Sequence, residues 1–338
     1  MIVLGVETSC DETSAAIIDN DRVLSNVISS QEVHAQFGGV VPELASRAHI
    51  RAIVPIVQKA LRESEVQPEQ IEGLAVTFGP GLVGALLVGL NFVKGLAMAI
   101  KKPFIGVNHI EGHIYGNLLT QNEVCFPILF LVVSGGHTQL VLMKDHLKYE
   151  IIGKTRDDAV GEAFDKGAKM LGLGYPGGPI IDQMAAQGEA SFTHFPIAKL
   201  KNAPFDFSFS GLKTALLTYL NKTDEKTKKE HLADICASYQ KAVVDALIEK
   251  TIRAIEVYKA KQIGLAGGVA ANSLLRSRLA DECRARSLNF YQPELAYCTD
   301  NAAMIARAGL EYLRRGHYSS MELNAFPALK LGSNGFYD

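Results

Sequence analysis

Two segments of the chain share one pattern, and this repetition limits the fold more than any other feature. VLGVETSCDETSAAIID near the N-terminus and LFLVVSGGHTQLVLMK near the middle each consist of an apolar strand, a turn of small and polar residues, and a second apolar strand. Apolar runs on both sides of a short polar turn are typical of β-hairpins. The pattern therefore predicts a hairpin that occurs twice, although the two segments are too dissimilar to prove an internal duplication.

Strands and helices alternate along the rest of the chain. The first thirty residues predict a three-stranded meander, and the apolar positions from Pro42 to about Ser64 follow the helical period. A second unit is predicted to begin near Pro103 with the strand FIGVN. Two helices are expected around Ile235 to Tyr258, and a final helix follows Asp300. This alternation indicates the α/β class with mixed sheets.

Length and charge limit the organisation and the partners. A chain of 338 residues is too long for one small core, so two domains or lobes are expected. The formal charge is −2, from 34 Lys and Arg against 36 Asp and Glu. A nucleic-acid partner would therefore need a local basic patch or helper proteins.

The cysteines and the apolar segments indicate a cytoplasmic protein. No two cysteines form a C-x-x-C pair, which fits reduced thiols better than a disulfide framework. The N-terminus carries acids where a secretory signal would need a basic start. Segment 81–100 is the best membrane candidate, but Asn91 and Lys94 interrupt it, so we expect a buried helix and no membrane association. The cysteines are Cys10, Cys125, Cys236, Cys283 and Cys298.

The stretch VNHIEGH suggests a metal site. His109 and His113 are four residues apart, so a helix would place both side chains on one face. A zinc protease of the H-E-x-x-H type has its glutamate directly after the first histidine, but here that position is Ile110. Glu111 lies about 200° around the helix from His109, so the protease loses its general base. A metal pair and two structural histidines both remain open.

Asp300, in the segment CTDN, could complete such a site with a hard oxygen ligand. Two imidazole nitrogens and one carboxylate oxygen, with open positions, suit iron(II) or zinc.

Three loops contain paired glycines: SGGHT, YPGGP and LAGGVAAN. Exposed backbone N–H groups in such loops can hold phosphate, and Asn272 could add a polar contact to a nucleotide. Asp165 and Asp182 could accept hydrogen bonds from ribose or substrate hydroxyls. The alternatives are structural turns and solvent-exposed charges. No P-loop, G-x-S-x-G elbow or strand-flanked G-x-G-x-x-G is present, which disfavours P-loop NTPases, α/β-hydrolases and Rossmann dehydrogenases.

Ten motifs, in order and over nearly the whole chain, resemble the TsaD family, also known as Gcp, YgjD, Kae or Qri. The resemblance implies the fold shared by actin, sugar kinases and Hsp70 (ASKHA), with two lobes of mixed sheets flanked by helices and a nucleotide in the cleft. The expected lobes are residues 1–105 plus about 303–338, and residues 106–302. The motifs are VLGVETSCDET, GGVVPELASRAH, GPGLVGALLVG, NHIEGH, VVSGGHTQL, GEAFDK, YPGGP, FSFSGLKT, AGGVAAN and CTDNAAMIA.

The resemblance also implies an acyltransferase. The expected reaction moves the threonylcarbamoyl group from L-threonylcarbamoyl-adenylate to N6 of the adenosine just 3′ of the anticodon, adenosine-37 of ANN-decoding tRNAs, and gives t6A and AMP. The alternatives are an ATP-binding ASKHA ATPase or kinase and a nucleotide-dependent scaffold. A metalloprotease is more remote.

The resemblance implies functions for particular residues and for partners. His109, His113 and Asp300 look like ligands of one divalent metal, with Fe²⁺ expected and Zn²⁺ as the alternative. Asp11 or Glu12, in the first turn, is our hypothesis for the general base. The expected partners are the tRNA anticodon loop, the accessory proteins TsaB and TsaE, and a TsaC-type synthetase that supplies the donor; a homodimer is an alternative assembly. The residues that look like contacts to the adenylate are Val132, Val133, Ser134, Gly135, Gly136, Asp165, Gly178, Asp182 and Asn272.

Overall fold

The N-terminal segment forms the predicted meander. In the computed structural model, which describes residues 1–119 and 124–333, strands β1 (Ile2–Glu7), β2 (Glu12–Asp19) and β3 (Arg22–Ser30) pair antiparallel. Strand β1 pairs with β2 in a register that sets Ile2 opposite Asp19 and Glu7 opposite Ser14. The interior of both strands is buried, as expected of apolar runs at the centre of a sheet covered on both faces.

Two parallel strands complete the first sheet. Helix α1 (Pro42–Ser64) leads to β4 (Gly73–Gly79), and helix α2 (Val83–Ile100) leads to β5 (Phe104–Asn108). The strand order is β3-β2-β1-β4-β5. Strand β5 had been expected to begin a second unit, but it pairs parallel with β4. The reason is that α2 forms the crossover that parallel neighbours require, so β5 extends the first sheet. Helix α3 (His109–Gly116) follows at once.

The second sheet has the same topology as the first. Strands β6 (Ile128–Val133), β7 (Thr138–Asp145) and β8 (Lys148–Lys154) form the second meander, and the full strand order is β10-β9-β6-β7-β8. In each sheet the first strand of the meander pairs antiparallel with the next strand and parallel with a later one, β1 with β4 and β6 with β9. The predicted repeat of the hairpin is therefore confirmed at the level of topology.

The second half of the chain is rich in helices. Residues Leu232–Tyr258 form one continuous helix of 27 residues, α8, so the prediction of two helices around Ile235 to Tyr258 was wrong. Its sequence contains no glycine or proline that would interrupt the backbone hydrogen bonds. The remaining elements are α4 (Val160–Met170), α5 (Gly177–Ala185), α6 (Ser210–Lys222), α7 (Glu225–Glu230), α8 (Leu232–Tyr258), β9 (Gln262–Ala266), α9 (Ser273–Ala285), β10 (Asn289–Tyr291) and α10 (Ala302–Arg314).

The chain divides into two compact units. Unit 1 comprises Met1–Val124, His146–Tyr149 and Pro293–Asp338, and unit 2 comprises Cys125–Asp145 and Glu150–Gln292. In unit 1, α10 packs against β1, β2, β4 and α3. The lobe boundaries expected at residues 105 and about 302 stay a prediction, and residues 334–338 of the expected first lobe lie outside the described residues.

Helix α2 is long and consists mostly of apolar residues. Among the described residues, the segment Val83–Ile100 is the one helix long and apolar enough to cross a membrane, a test that core helices of soluble proteins also pass. Its residues Leu90, Val93 and Ala97 are buried in the core of unit 1, together with residues of β1, β4 and α1.

Candidate metal centre and substrate loops

Helix α3, which carries the two candidate metal-binding histidines, starts directly at the end of strand β5. Asn108 caps it, because its side-chain oxygen accepts hydrogen bonds from the backbone N–H groups of Ile110 (2.9 Å) and Glu111 (3.3 Å). His109 is thus the first helical residue, and His113 lies one turn later on the same face. Both side chains are buried.

Asp300 meets both histidines within unit 1. Its Oδ1 atom lies 3.2 Å from His113 Nε2 and 3.5 Å from His109 Nε2, and the two imidazole rings cross at 79° with their centroids 4.7 Å apart. One ligand atom from each of the three residues falls within 4.8 Å of the others. Asp300 lies just before α10, whose contacts with α3 explain why segments nearly 190 positions apart converge.

These residues fit a metal ion. Ligand atoms about 2.1 Å from a tetrahedral zinc stand about 3.4 Å from one another, which is close to the separations from Asp300 to each ring. Both ring nitrogens of His113 are buried, and neither makes a hydrogen bond with any described residue; Nε2 lies 3.2 Å from Asp300 Oδ1 but not in hydrogen-bonding geometry. Buried polar atoms are rarely left without a partner, so the geometry favours a cation over two structural histidines.

Glu7, at the end of β1, supports this cluster and was not singled out from the sequence. Its Oε2 atom lies 3.0 Å from His109 Nδ1 and accepts a hydrogen bond from the Thr77 hydroxyl at 2.6 Å. Burial alone would lower the pKa of His109, but the negative charges of Asp300 and Glu7 raise it to about 9. Burial alone would raise the pKa of Glu7, but the interaction with His109 lowers it. The available sequence signal was an acid that closes an otherwise apolar strand.

The side chain of Glu111 makes its hydrogen bonds with Tyr312, and not with the two histidines. Both of its carboxylate oxygens lie 3.0 Å from the hydroxyl of Tyr312 on α10. Burial raises the pKa of Glu111 to about 7, against the opposing effect of hydrogen bonds from Tyr149 and Tyr312. This carboxylate links α3 to α10 through Tyr312. It is therefore not placed to act as the base of a metalloprotease, in agreement with the sequence, which also argues against that role.

The proposed bases are Asp11, in the first turn, and Glu12, the first residue of β2. The turn lies beside the cluster, since the Ser9 hydroxyl is 3.1 Å from His109 Nδ1. Burial, followed by the charges of Asp300, Asp11 and Glu7, raises the pKa of Glu12 to about 9. His49 of α1 contacts residues on both sides of Asp11 and Glu12. Its Nε2 atom lies 3.0 Å from the Cys10 carbonyl oxygen, and its Nδ1 atom lies 2.8 Å from the Thr13 hydroxyl.

In unit 2, the predicted adenylate contacts begin at the end of β6. Val132 and Val133 are its last two residues and are buried. Ser134 starts a tight turn, in which its N–H donates to the His137 carbonyl at 2.8 Å and its hydroxyl accepts from the His137 N–H at 3.1 Å. A Cβ added to Gly135 or Gly136 would meet no atom within 4 Å, so the backbone of this turn is open to a ligand.

The other predicted contacts in unit 2 already make internal hydrogen bonds. Asp165 of α4 accepts from the backbone N–H of Gly177 at 2.7 Å, beside Gly178. Asp182 of α5 accepts from the Ser273 N–H (3.0 Å), the Ser273 hydroxyl (2.7 Å) and Gln240 (3.0 Å). Asn272 caps α9 by accepting from the Leu275 N–H at 2.9 Å. The roles of these residues toward a substrate stay predictions.

Comparisons with known proteins settle the family. The family model described as TsaD, tRNA N6-adenosine threonylcarbamoyltransferase, matches residues 22–307. The chain belongs to the TsaD family. Curated relatives of that name include those of Caldicellulosiruptor saccharolyticus, 51% identical over 335 residues with 98% of this chain and 99% of the relative covered. Another is that of Clostridium botulinum, 53% identical over 333 residues with 98% of each chain covered.

Solved structures agree with the fold. Full-length HypF in its phosphate- and nucleotide-bound form is 13% identical, has a TM-score of 0.60 and covers 93% of this chain, which spans 46% of HypF. HypF of T. kodakarensis is 12% identical, with a TM-score of 0.61, 93% of this chain covered and 48% of HypF spanned. The family match and these structures confirm the ASKHA-like α/β fold. The family match and the curated relatives confirm the classification as a tRNA-modifying acyltransferase.

Proposed function

We propose that the chain transfers the threonylcarbamoyl group from L-threonylcarbamoyl-adenylate to N6 of the adenosine just 3′ of the anticodon in ANN-decoding tRNAs, forming t6A and releasing AMP. The observation that carries this proposal is the similarity, over nearly the full length, to curated relatives named as tRNA N6-adenosine threonylcarbamoyltransferases. Homologues at 51–53% identity over 98% of the chain support a shared substrate class.

The chemistry explains why such a site needs charged and polar groups. The exocyclic amine of adenine is a poor nucleophile, so the donor must be an activated mixed anhydride. The amine nitrogen forms a bond to the carbamoyl carbon, the bond from that carbon to the phosphate oxygen breaks, and AMP leaves with the electron pair. The protein must stabilise negative charge on oxygen and accept the proton of the amine.

His109, His113 and Asp300 would hold one divalent metal, with Fe²⁺ expected and Zn²⁺ as the alternative. When bound, the metal supplies Lewis acidity toward a phosphate or carbonyl oxygen of the donor. The described residues contribute two imidazole nitrogens and a carboxylate, and the Oε2 atom of Glu7 lies 3.0 Å from Nδ1 of the His109 ring.

Asp11 or Glu12 would accept the amine proton. Because the pKa of Glu12 is raised to about 9 in the chain without a metal, this carboxyl is protonated at neutral pH there. Burial is the largest cause of this raised pKa, and the charge of Asp300 is the next. A cation beside Asp300 would offset the second cause, and would shift Glu12 toward the ionised form that can act as a base. If Asp11→Asn kept the full rate of transfer from pre-made adenylate, Asp11 would be excluded as the base.

Unit 2 would bind the adenylate through its glycine loops. The open backbone of Gly135 and Gly136, the main chain of Val132 to Ser134, and Gly178 suit close approach of phosphate and ribose. Asp165, Asp182 and Asn272 would keep their internal hydrogen bonds and offer their remaining acceptor capacity to substrate hydroxyls.

The proposed partners follow from the family. The tRNA would offer its target base from the anticodon loop, where single-stranded bases expose their edges. TsaB, TsaE and a TsaC-type synthetase would assist in the cytoplasm, and a homodimer is the alternative assembly. The exposed apolar residues Ile50 and Val54 of α1 and Met98 of α2 support a protein partner for these helices.

The test supplies pre-made L-threonylcarbamoyl-adenylate and unmodified tRNA, with and without the accessory proteins, and detects t6A by mass spectrometry of nucleosides. We expect t6A and an equal amount of AMP, both lost in a His109→Ala, His113→Ala double variant. A parallel set of reactions contains ATP in place of the adenylate. If AMP or ADP forms from ATP there, and no t6A forms in either set under any combination, an ASKHA ATPase would be favoured instead. A nucleotide-dependent scaffold would bind adenylate and form no product.

A further inference from the structure

The carboxylate of Glu7 lies at the centre of a buried hydrogen-bond cluster. The side chain is fully buried, yet it makes no ion pair with a Lys or Arg among the described residues. Oε1 accepts a hydrogen bond from the backbone N–H of Ser9, and Oε2 accepts one from the Thr77 hydroxyl at 2.6 Å. The remaining neighbour of Oε2 is His109 Nδ1, at 3.0 Å. A buried carboxylate needs such donors, and His109 can supply one of them when its Nδ1 carries a proton.

The two nitrogens of His109 face different groups. Nδ1 faces Glu7 Oε2 at 3.0 Å and the Ser9 hydroxyl at 3.1 Å, whereas Nε2 lies 3.5 Å from Asp300 Oδ1. A neutral imidazole carries one proton, and the nitrogen that carries it cannot bind a metal. If Nδ1–H donates to Glu7, the lone pair of Nε2 points toward Asp300 and His113.

We propose that Glu7 is a positioning residue for the metal centre, which holds His109 in the Nδ1–H tautomer and thereby presents Nε2 as the ligand. This inference rests on the metal site of the proposed function and deepens it. Histidine ligands commonly donate their second N–H to a carboxylate, and loss of that partner lowers metal affinity about 10- to 100-fold.

The variant Glu7→Gln keeps the size and shape of the side chain but replaces the charged carboxylate with a neutral amide. Glutamine offers one acceptor oxygen and one NH₂ donor. The backbone N–H of Ser9 cannot become an acceptor, so the amide oxygen must face it. The NH₂ group then faces Thr77 and His109 Nδ1, where it donates to the ring and favours the Nε2–H tautomer. That tautomer has no lone pair at the metal.

The matched control is Thr77→Val. It is nearly isosteric and removes the other donor to Glu7 Oε2, but it leaves the carboxylate and its contact with His109 in place. The control thus disturbs the same buried pocket without changing which nitrogen of His109 carries the proton.

The experiment titrates zinc(II) alone into the metal-free full chain, with a chromophoric chelator as competitor. We expect wild type to bind one zinc, Thr77→Val to bind within about threefold of wild type, and Glu7→Gln to bind about 10- to 100-fold more weakly. Equal affinity of wild type and Glu7→Gln would overturn the role of Glu7 while the metal site stands. An equal loss in both variants would also overturn it, since packing would explain the effect. Absence of zinc binding by wild type would remove the site itself, and the inference with it.

A second measurement does not depend on the variant folding. ¹⁵N NMR of the zinc-loaded wild-type chain, labelled at histidine, reports which nitrogen of His109 is protonated. The inference requires a protonated Nδ1 and a zinc-bound Nε2. An unprotonated or zinc-bound Nδ1 would overturn it.

Discussion

Zinc binding to the metal-free chain should release protons, and the structure indicates how many. The charges of Asp300 and Glu7 raise the pKa of His109 to about 9 against the effect of burial, and burial with nearby carboxylates raises the pKa of Glu12 to about 9. Both groups are therefore protonated near neutral pH in the absence of a metal. His109 must lose a proton to offer Nε2 to a cation. Glu12 loses up to one proton, because the cation offsets the charge of Asp300 but not the effect of burial.

The expected release follows from these pKa values. A group with a pKa of about 9 is about 97% protonated at pH 7.5, so His109 contributes about one proton and Glu12 up to one more. The apparent zinc affinity should therefore rise about tenfold to hundredfold for each pH unit between 7 and 8.5. In Glu12→Gln the release should fall to about one proton, since only His109 remains.

Isothermal titration calorimetry provides the assay. Titrations of zinc at pH 7.5 in buffers that differ in ionisation enthalpy give the number of protons released as the slope of observed against buffer enthalpy. The chain without zinc should keep its fold, which circular dichroism checks. Tight zinc binding with a slope of zero and a pH-independent affinity would refute this reasoning about the charges in unit 1.

Three further outcomes are expected. Against the effect of burial, guanidinium groups lower the pKa of Glu311 to about 2, so its stabilisation is present above pH 4.5 and lost as the pH falls toward 2. Glu311→Gln should cost about 2 kcal/mol in urea unfolding at pH 7, after allowance for partly exposed partners, and much less at pH 3; an equal loss at both pH values would contradict this. A Cβ at Gly5 would lie 2.3 Å from the Ala302 carbonyl oxygen, so Gly5→Ala should lower the free energy of unfolding by about 1–3 kcal/mol, and an unchanged melting temperature would argue against close packing of α10 on β1. A Cβ at Gly161 would lie 2.7 Å from the Ser134 carbonyl oxygen, so Gly161→Ala should displace that turn and raise KM for the adenylate more than it lowers kcat, whereas unchanged kinetics would remove the turn from the substrate site.

The sequence predicted the elements with local signals well. The apolar runs on both sides of a polar turn predicted both hairpins, and the helical spacing of His109 and His113 predicted that they share one face of α3. Because Ile110, and not a glutamate, follows His109, the sequence predicted that Glu111 would not act as the base of a zinc protease. In the structure, Glu111 accepts a hydrogen bond from the Tyr312 hydroxyl instead. These features depend on neighbours within a few residues, which periodicity can reveal.

Other features depend on contacts distant in sequence and could not be predicted in this way. The interaction of Glu7 with His109 joins residues 102 positions apart, and pairing of β5 with β4 depends on the path of α2. Asp165 and Asp182 were identified as acids that could face a substrate, but the hydrogen bonds they make to Gly177 and Ser273 become visible only when the helices have packed. Tertiary contacts decided these cases, and local propensity does not encode them.

The most direct test of the metal centre is the position of the ion itself. Anomalous diffraction at the iron and zinc absorption edges, from crystals of the chain purified with its metal, should give one peak per chain. We expect the peak at about 2.0–2.3 Å from a nitrogen of His109, a nitrogen of His113 and an oxygen of Asp300. A metal bound elsewhere, with these three side chains contacting only one another, would contradict the account.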